Sequence, residues 1–105
     1  MYESGSNIEY RIIDGLEELY FETGGILSKT EYVGGMRHGQ CLTYYESGRL
    51  EQIRYFKNDM DSGSYKRFHL NGKLRTLGQL EEGQQVGNWK WFDENGRLNN
   101  TREFK

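Results

Sequence analysis

Residues 39–62 read GQCLTYYESGRLEQIRYFKNDMDS, and the same pattern returns along the whole chain at an interval of 24 residues. Five positions of this stretch keep the interval over four copies. They are Gly15, Gly39, Gly63 and Gly87; Tyr20, Tyr44, Phe68 and Phe92; Gly24, Gly48, Gly72 and Gly96; Ile26, Leu50, Leu74 and Leu98; and Tyr32, Phe56, Leu80 and Phe104. A recurrence this regular identifies a repeat array, in which each unit packs against its neighbours.

Each unit contains a β-hairpin signal. In the second unit, two β-prone runs lie on either side of Glu46-Ser47-Gly48, and such triplets are typical of hairpin turns. A two-residue loop pairs Tyr44 with Glu51, whereas a three-residue loop with its glycine in the left-handed conformation pairs Tyr44 with Leu50. We predict the three-residue loop, and we expect it to place Tyr44, Leu50 and Phe56 together on the packed face of the sheet.

The hairpins predict an all-β fold: a single elongated, twisted antiparallel sheet, built as a meander of four 24-residue β-hairpin repeats with about eight strands. One hairpin is too small to be stable alone, so stability comes mainly from stacking between repeats. Tyr2 and Ile8 keep the phase of the later columns, which makes residues 1–14 a degenerate N-terminal cap half-repeat. The four repeats, 15–38, 39–62, 63–86 and 87–105, form one domain.

The composition fits a thin sheet and limits the partners. Of 105 residues, 34% are apolar and 29% are charged, which argues against a thick two-layer core. The net charge of -2 gives no general attraction to nucleic acid or to an anionic membrane. Residues 1–38 carry a net charge of -4, and residues 39–105 carry +2. Without a basic leader or a membrane-length apolar run, we expect a cytoplasmic protein.

Groups that perform covalent chemistry are few and dispersed. The histidines are His38 and His69, and the single cysteine is Cys41. Nucleophilic catalysis needs an activated nucleophile beside a base, and zinc needs about four clustered ligands. Gly34-Gly35 lacks the strand, loop and helix context of a phosphate-binding loop. We therefore expect no enzyme, with no catalytic residue, metal site or cofactor, and we interpret Cys41 as a small packing residue.

The third and fourth units carry the clearest sequence motif, in which glycine and aromatic residues precede an Asn-Gly turn, a basic residue and leucine. It is formed by Gly63, Tyr65, Phe68, Asn71, Gly72, Lys73 and Leu74, and again by Gly87, Trp89, Phe92, Asn95, Gly96, Arg97 and Leu98. This motif resembles the MORN repeat, and more closely its bacterial variant. In the first two units Glu17 and Cys41 replace the first aromatic residue, and Gly25 replaces the basic residue.

The resemblance implies a function as well as a fold. Small free-standing bacterial proteins of this variant are commonly assigned as antitoxin or immunity components, which bind and neutralise a partner toxin. The resemblance therefore implies a non-enzymatic protein-binding module with a cognate protein toxin as its partner. The repeated residues of such proteins are structural, so no functional residue carries over by position.

Positions that differ between the copies are the candidates for partner binding. We expect them on the face opposite the recurring Tyr44, Leu50 and Phe56 columns, since the fold makes no demand there. Tyr, Trp and Arg also dominate interface energetics. The candidates are Leu19, Phe21, Tyr45, Ile53, Tyr55, Arg67, His69 and Trp91. Trp89 is assigned instead to the recurring first aromatic position.

Carboxylates near the acidic end have two interpretations. Glu17, Glu18 and Glu22 either form a solvated strand that discourages edge-to-edge pairing, or offer an acidic patch to a basic cleft such as that of a nuclease. Glu17 and Glu22 are therefore added to the candidate set.

Three other functions remain open. The first is a scaffold that associates with membrane phospholipid or another protein, although the chain has no Lys/Arg cluster to favour a membrane. The second is an enzyme or an accessory segment of one. The third is a homo-oligomer that pairs weakly through its sheet edges, with a monomer as the other expectation.

Overall fold

A computed structural model describes residues 14–105, which form one antiparallel sheet and contain no helix, and therefore none that could cross a membrane. The strands are β1 (Gly15–Tyr20), β2 (Ile26–Val33), β3 (Met36–Tyr44), β4 (Leu50–Lys57), β5 (Met60–Asp61), β6 (Gly63–Phe68), β7 (Leu74–Glu81), β8 (Gln84–Phe92) and β9 (Leu98–Phe104). They pair in the order β1-β2-β3-β4-β6-β7-β8-β9, and the short β5 pairs with β4. The predicted all-β meander is confirmed, and the predicted cap half-repeat falls almost wholly outside the described residues.

The predicted three-residue hairpin loop is confirmed. The Tyr45 amide donates to the Arg49 carbonyl at 2.8 Å, and the Gly48 amide donates to the Tyr45 carbonyl at 2.9 Å. Tyr44 pairs with Leu50, and Gly48 has φ of 96°. A side chain at this φ is strained, which explains why the position is glycine in all four repeats.

The prediction that Phe56 shares a face with Tyr44 and Leu50 is wrong. Thr43 pairs with Gln52 while Tyr44 pairs with Leu50, so Glu51 is an extra residue in the second strand. A β-bulge of one residue reverses the alternation of side chains beyond it. Phe56 consequently lies opposite Gly39, on the other face. The same register shift recurs in every hairpin, with Leu27, Glu51, Arg75 and Asn99 as the bulge residues.

The face that carries Cys41, Phe56, Tyr65, Trp89 and Phe104, called the Trp89 face, is the better packed. Phe56 and Trp89 are its most buried apolar side chains, only 5% and 4% exposed. The centroid of the Trp89 ring lies 5.4 Å from that of Tyr65 and 6.1 Å from that of Phe104. The packed side of the sheet is therefore built from two recurring positions of the repeat. One is the first aromatic position, with Tyr65 and Trp89, and the other is the last column, with Phe56 and Phe104.

A glycine allows this aromatic stack to continue across three strands. Gly78 in β7 lies opposite Tyr65 of β6, and a Cβ atom added at Gly78 would overlap the Trp89 indole from β8. The indole N–H donates to the carbonyls of Gln79 and Val86 at 3.2 and 3.1 Å. Trp89 is thus held in place by two hydrogen bonds and occupies space that any other residue at position 78 would fill.

Two arginines cover Phe56, the other strongly buried apolar side chain of the Trp89 face. The guanidinium carbons of Arg37 and Arg54 lie 4.2 and 4.9 Å from the Phe56 ring centroid. Arg54 also donates to both carboxylate oxygens of Asp61, at 2.9 and 2.6 Å. The hydrogen bond to Asp61 raises the pKa of Arg54 above its ordinary value. This ion pair holds β5, the last segment of the second repeat before β6, against β4.

The other face, called the Tyr44 face, carries the Tyr44 and Leu50 columns. In residues 14–105 no second layer covers it. Its apolar side chains are half-buried in the middle of the sheet and more open at its ends, where Tyr20 is 38% and Leu98 56% exposed. The predicted packed columns therefore form the less protected side of the sheet.

Two-residue turns connect one hairpin to the next, and one of them contains a strained residue. Glu82 has φ of 49° and precedes Gly83 at 80°, which is the pattern of a type I′ turn. A side chain in this left-handed region costs about 1–2 kcal/mol, and asparagine tolerates it best. Glu82→Asn is expected to raise the free energy of unfolding by about 0.5–1 kcal/mol in urea denaturation. Glu81→Asn, in the adjacent strand, is the control, and an equal gain there would contradict the explanation.

Candidate interaction surface

The structure divides the predicted partner-binding residues between the two faces. Those on first strands and at hairpin ends share the Trp89 face: Glu17, Leu19, Phe21, Tyr45, Arg67, His69 and Trp91. Ile53 and Tyr55 pair with Leu42 and Gln40 and lie on the Tyr44 face. The prediction of one common face is wrong for these two residues, because the bulge at Glu51 reverses the second strand. The Trp89 face, which the other seven candidates share, is also the better packed one. The predicted packed face was the opposite one, with Tyr44 and Leu50.

Four of the divergent positions lie in a single line across the sheet. Leu19, Thr43, Arg67 and Trp91 alternate with Ser28, Gln52, Thr76 and Asn100 as directly paired neighbours on β1 to β9. We call these eight residues the turn-side row, because they lie near the three-residue turns. The members from second strands are all small or polar. Arg67 and Trp91 are therefore the two large side chains of its C-terminal half, and Thr76 separates them.

The side chains that close the hairpins link consecutive repeats. The Tyr45 hydroxyl donates to the Phe68 carbonyl at 2.6 Å, and His69 Nε2 lies 2.8 Å from the Phe92 carbonyl. A carbonyl only accepts, so Nε2 of His69 carries the hydrogen. Tyr45 and His69 thus have a structural role that their divergence between copies did not reveal.

Loss of the Tyr45 contact has a measurable cost. Tyr45→Phe keeps the ring and removes the donor to the Phe68 carbonyl, so the free energy of unfolding is expected to fall by about 0.5–1.5 kcal/mol. The adjacent Tyr44 hydroxyl makes no hydrogen bond with residues 14–105, and Tyr44→Phe is the matched control. Equal losses in denaturant unfolding would show that the contact does not stabilise the joint between the repeats.

An open cleft of about 730 Å³ lies at the C-terminal end of the turn-side row. Its lining residues are His69, Arg75, Trp91, Phe92, Asp93, Glu94, Asn95, Asn99 and Asn100. The Trp91 ring lies 6.1 Å from the Trp89 ring, so it continues the packed aromatic stack into the cleft. The cleft therefore combines a supported aromatic ring with amide, guanidinium and carboxylate groups.

Two residues of this cleft, Arg75 and Asn99, were missed by the sequence reasoning because they are bulge residues. The signal was present in the repeat spacing. Gly39 and Tyr44 are five residues apart, whereas their strand partners Phe56 and Leu50 are six apart. The second strand must therefore contain one residue without a partner, and that residue also differs in every copy.

The acidic residues near the N-terminal end do not form one patch. Glu17 lies on the Trp89 face, where the Tyr32 hydroxyl donates to it at 3.4 Å. Burial and the Glu17 carboxylate together raise the pKa of Tyr32. Glu18 alternates onto the Tyr44 face and accepts from Tyr20 at 2.7 Å, and Glu22 lies in the hairpin turn. The interpretation as a single acidic patch therefore has no geometric support.

The remaining reactive groups lie apart from this surface. Cys41 Sγ is 3.2 Å from Thr30 Oγ1 of the paired strand, and Thr30 is buried. His38 lies at the other end of the strands, beside a turn between hairpins, where its Nδ1 accepts from the Asn58 amide at 3.4 Å. In the described part of the chain, no three His, Cys, Asp or Glu side chains are grouped to hold a metal ion.

Comparison with known families agrees with this architecture. The sequence model of the family described as "MORN repeat variant" matches residues 13–33, 37–58, 62–82 and 85–105. No curated protein matches the chain significantly. Each matched segment contains one of the four hairpins, and repeats of this kind suggest a binding or scaffold module. Because the four matches cover most of the 105 residues, the chain belongs to the MORN repeat variant family.

Proposed function

We propose that the chain is a non-enzymatic antitoxin or immunity protein, which neutralises a cognate protein toxin by binding it through the turn-side row and the adjoining cleft. One observation carries the proposal: a position that differs in every repeat, occupied by Leu19, Thr43, Arg67 and Trp91, lies in one line across eight strands of an otherwise regular sheet. A regular framework that presents one line of divergent side chains suits recognition of a single partner.

The composition of the C-terminal half of this surface suits protein recognition. Arg67 and Trp91 are of the residue types that dominate binding energy in interfaces. Trp91 is half-buried, and its contact with the Trp89 ring limits its motion before binding. A preformed side chain loses less conformational entropy on association, so more of its contact energy contributes to affinity.

The choice of a toxin as partner rests on the resemblance of the repeats to the bacterial MORN variant, whose small free-standing members are commonly assigned this role. A direct test is co-expression with the product of an adjacent gene. We expect a lethal neighbouring product whose toxicity this chain suppresses and with which it co-purifies. A neighbouring gene without toxicity, or toxicity that co-expression does not relieve, would count against the antitoxin assignment.

The binding surface is tested by a change at Trp91. Trp91→Ala is expected to weaken binding of the partner by about 30-fold or more, equivalent to about 2 kcal/mol, because a tryptophan supported by a neighbouring ring is a typical hot spot. Affinity is measured by calorimetry, and circular dichroism checks the fold. Tyr55→Ala, on the Tyr44 face, is the control and should bind nearly as the parent chain does. A larger loss for Tyr55→Ala would move the interface to the other face.

A further inference from the structure

The last strand of the described residues, β9, has an inner edge that pairs with β8 and an outer edge. Within residues 14–105, β9 pairs only with β8, and every residue of β9 except Phe104 is exposed. The strands in the equivalent positions of the earlier repeats, β2, β4 and β7, are each covered on that side by the next repeat. These pairings between consecutive repeats, called the internal joints, therefore indicate what the outer edge of β9 can bind.

Two side chains of β9 repeat an arrangement found on β4, the strand that the third repeat covers. Arg102 and Phe104 lie 48 residues after Arg54 and Phe56. The guanidinium carbon of Arg102 lies 4.8 Å from the Phe104 ring centroid, which reproduces the 4.9 Å stack of Arg54 on Phe56. Arg54 also binds the carboxylate of Asp61 in β5, the short strand that pairs with the outer edge of β4. In the described residues, Arg102 forms no salt bridge.

The backbone of β9 is oriented for the same joint. The Tyr55 carbonyl in β4 points outward and accepts from the Ser62 amide at 2.8 Å. Glu103 corresponds to Tyr55 in the repeat, and Thr101, two residues earlier, points the same way. Among the described residues, the amides and carbonyls of Thr101 and Glu103 thus point away from β8 without a strand partner.

We propose that the outer edge of β9 binds an extended segment of a partner protein as an added antiparallel strand, and that a carboxylate of this segment pairs with Arg102. Backbone hydrogen bonds supply the general affinity of such an added strand, and side-chain pockets supply the selectivity. This site adjoins the turn-side row, whose last member, Asn100, also lies in β9, and it stands whether or not the partner is a toxin.

A peptide taken from the chain itself serves as the probe. The capped peptide MDSGSYKRF, residues 60–68, is the segment that covers β4 and supplies Asp61. Titrated into the ¹⁵N-labelled full chain, it is expected to shift the amide signals of Thr101 and Glu103 first. The Asp61→Asn peptide is expected to bind about twofold to fivefold more weakly, as for an exposed ion pair.

Variants of the full chain separate the contribution of the Arg102 ion pair from that of the backbone hydrogen bonds of β9. In Arg102→Ala the two peptides should bind equally, whereas in the charge-matched control Arg97→Ala, in the turn, their difference should persist. Thr101→Pro removes an outward amide and spares the pairing with β8, so it should abolish binding of both peptides with the sheet intact. The proposal is overturned by the absence of shifts on β9 at millimolar peptide. It is equally overturned by concentration-dependent self-association that Thr101→Pro abolishes, since the edge would then bind a second copy.

Discussion

Replacement of Trp89 by alanine is expected to lower the free energy of unfolding by about 3–5 kcal/mol, as for large aromatic residues in well-packed cores. Trp89 is only 4% exposed and contacts the rings of Tyr65, Trp91 and Phe104. In residues 14–105 no second layer lies over the sheet to close the cavity, so we expect water to enter the stack. Urea denaturation followed by tryptophan fluorescence and circular dichroism measures the loss.

Trp91 provides the matched control for this substitution. It lies two residues away on the same strand and face but is half-buried and borders the cleft. Trp91→Ala should therefore cost much less stability than Trp89→Ala, although we expect it to cost more in partner binding. Similar losses of stability for both variants would show that the aromatic stack does not have its centre at Trp89.

Substitution of Gly78 by alanine is the second large effect. Its added methyl group would overlap the Trp89 indole, which two hydrogen bonds hold in place. Overfilling of a packed site typically costs about 1–3 kcal/mol, and we expect a loss of unfolding free energy in this range. The backbone of Gly78 does not have a positive φ, so the cost comes from packing rather than from backbone strain.

The chain offers a matched glycine for comparison. Gly25 also lacks a positive φ, and a Cβ atom there would meet nothing within 4 Å. Gly25→Ala should leave stability unchanged or raise it by up to about 1 kcal/mol, because alanine restricts the unfolded chain. If Gly78→Ala behaved like Gly25→Ala, the close approach of the indole to β7 would not limit packing. In the double variant Gly78→Ala, Trp89→Leu, the two costs should be less than additive.

Sequence periodicity was sufficient to predict the fold because each recurring glycine fixes a local geometry. The left-handed Gly48 specifies the three-residue turn, and the turn specifies the pairing of Tyr44 with Leu50. Alternation of side chains along a strand was then assumed without interruption. The bulge at Glu51 breaks it, which reversed the predicted positions of Phe56 and Tyr55. Counting five residues against six between paired positions would have revealed it.

Contacts between repeats were harder to foresee. The bond from Tyr45 to the Phe68 carbonyl joins residues 23 positions apart, and so does that from His69 to the Phe92 carbonyl. They depend on how far each hairpin is displaced along its neighbour, which no local pattern specifies. The predicted face was correct for candidate residues on the first strands, such as Arg67 and Trp91, because no bulge precedes them there.

These joints have a consequence for engineering. The side-chain hydrogen bonds of Tyr45 and His69 each reach the next repeat, 23 residues further along the chain. The number of repeats can therefore be changed while the residues of the turn-side row are kept. A synthetic chain that continues Lys105 with a second copy of residues 58–105 would repeat the joint between the second and third repeats, with Asp93 in the position of Tyr45. Each added strand should lengthen the particle by about 4.8 Å, which small-angle scattering can measure.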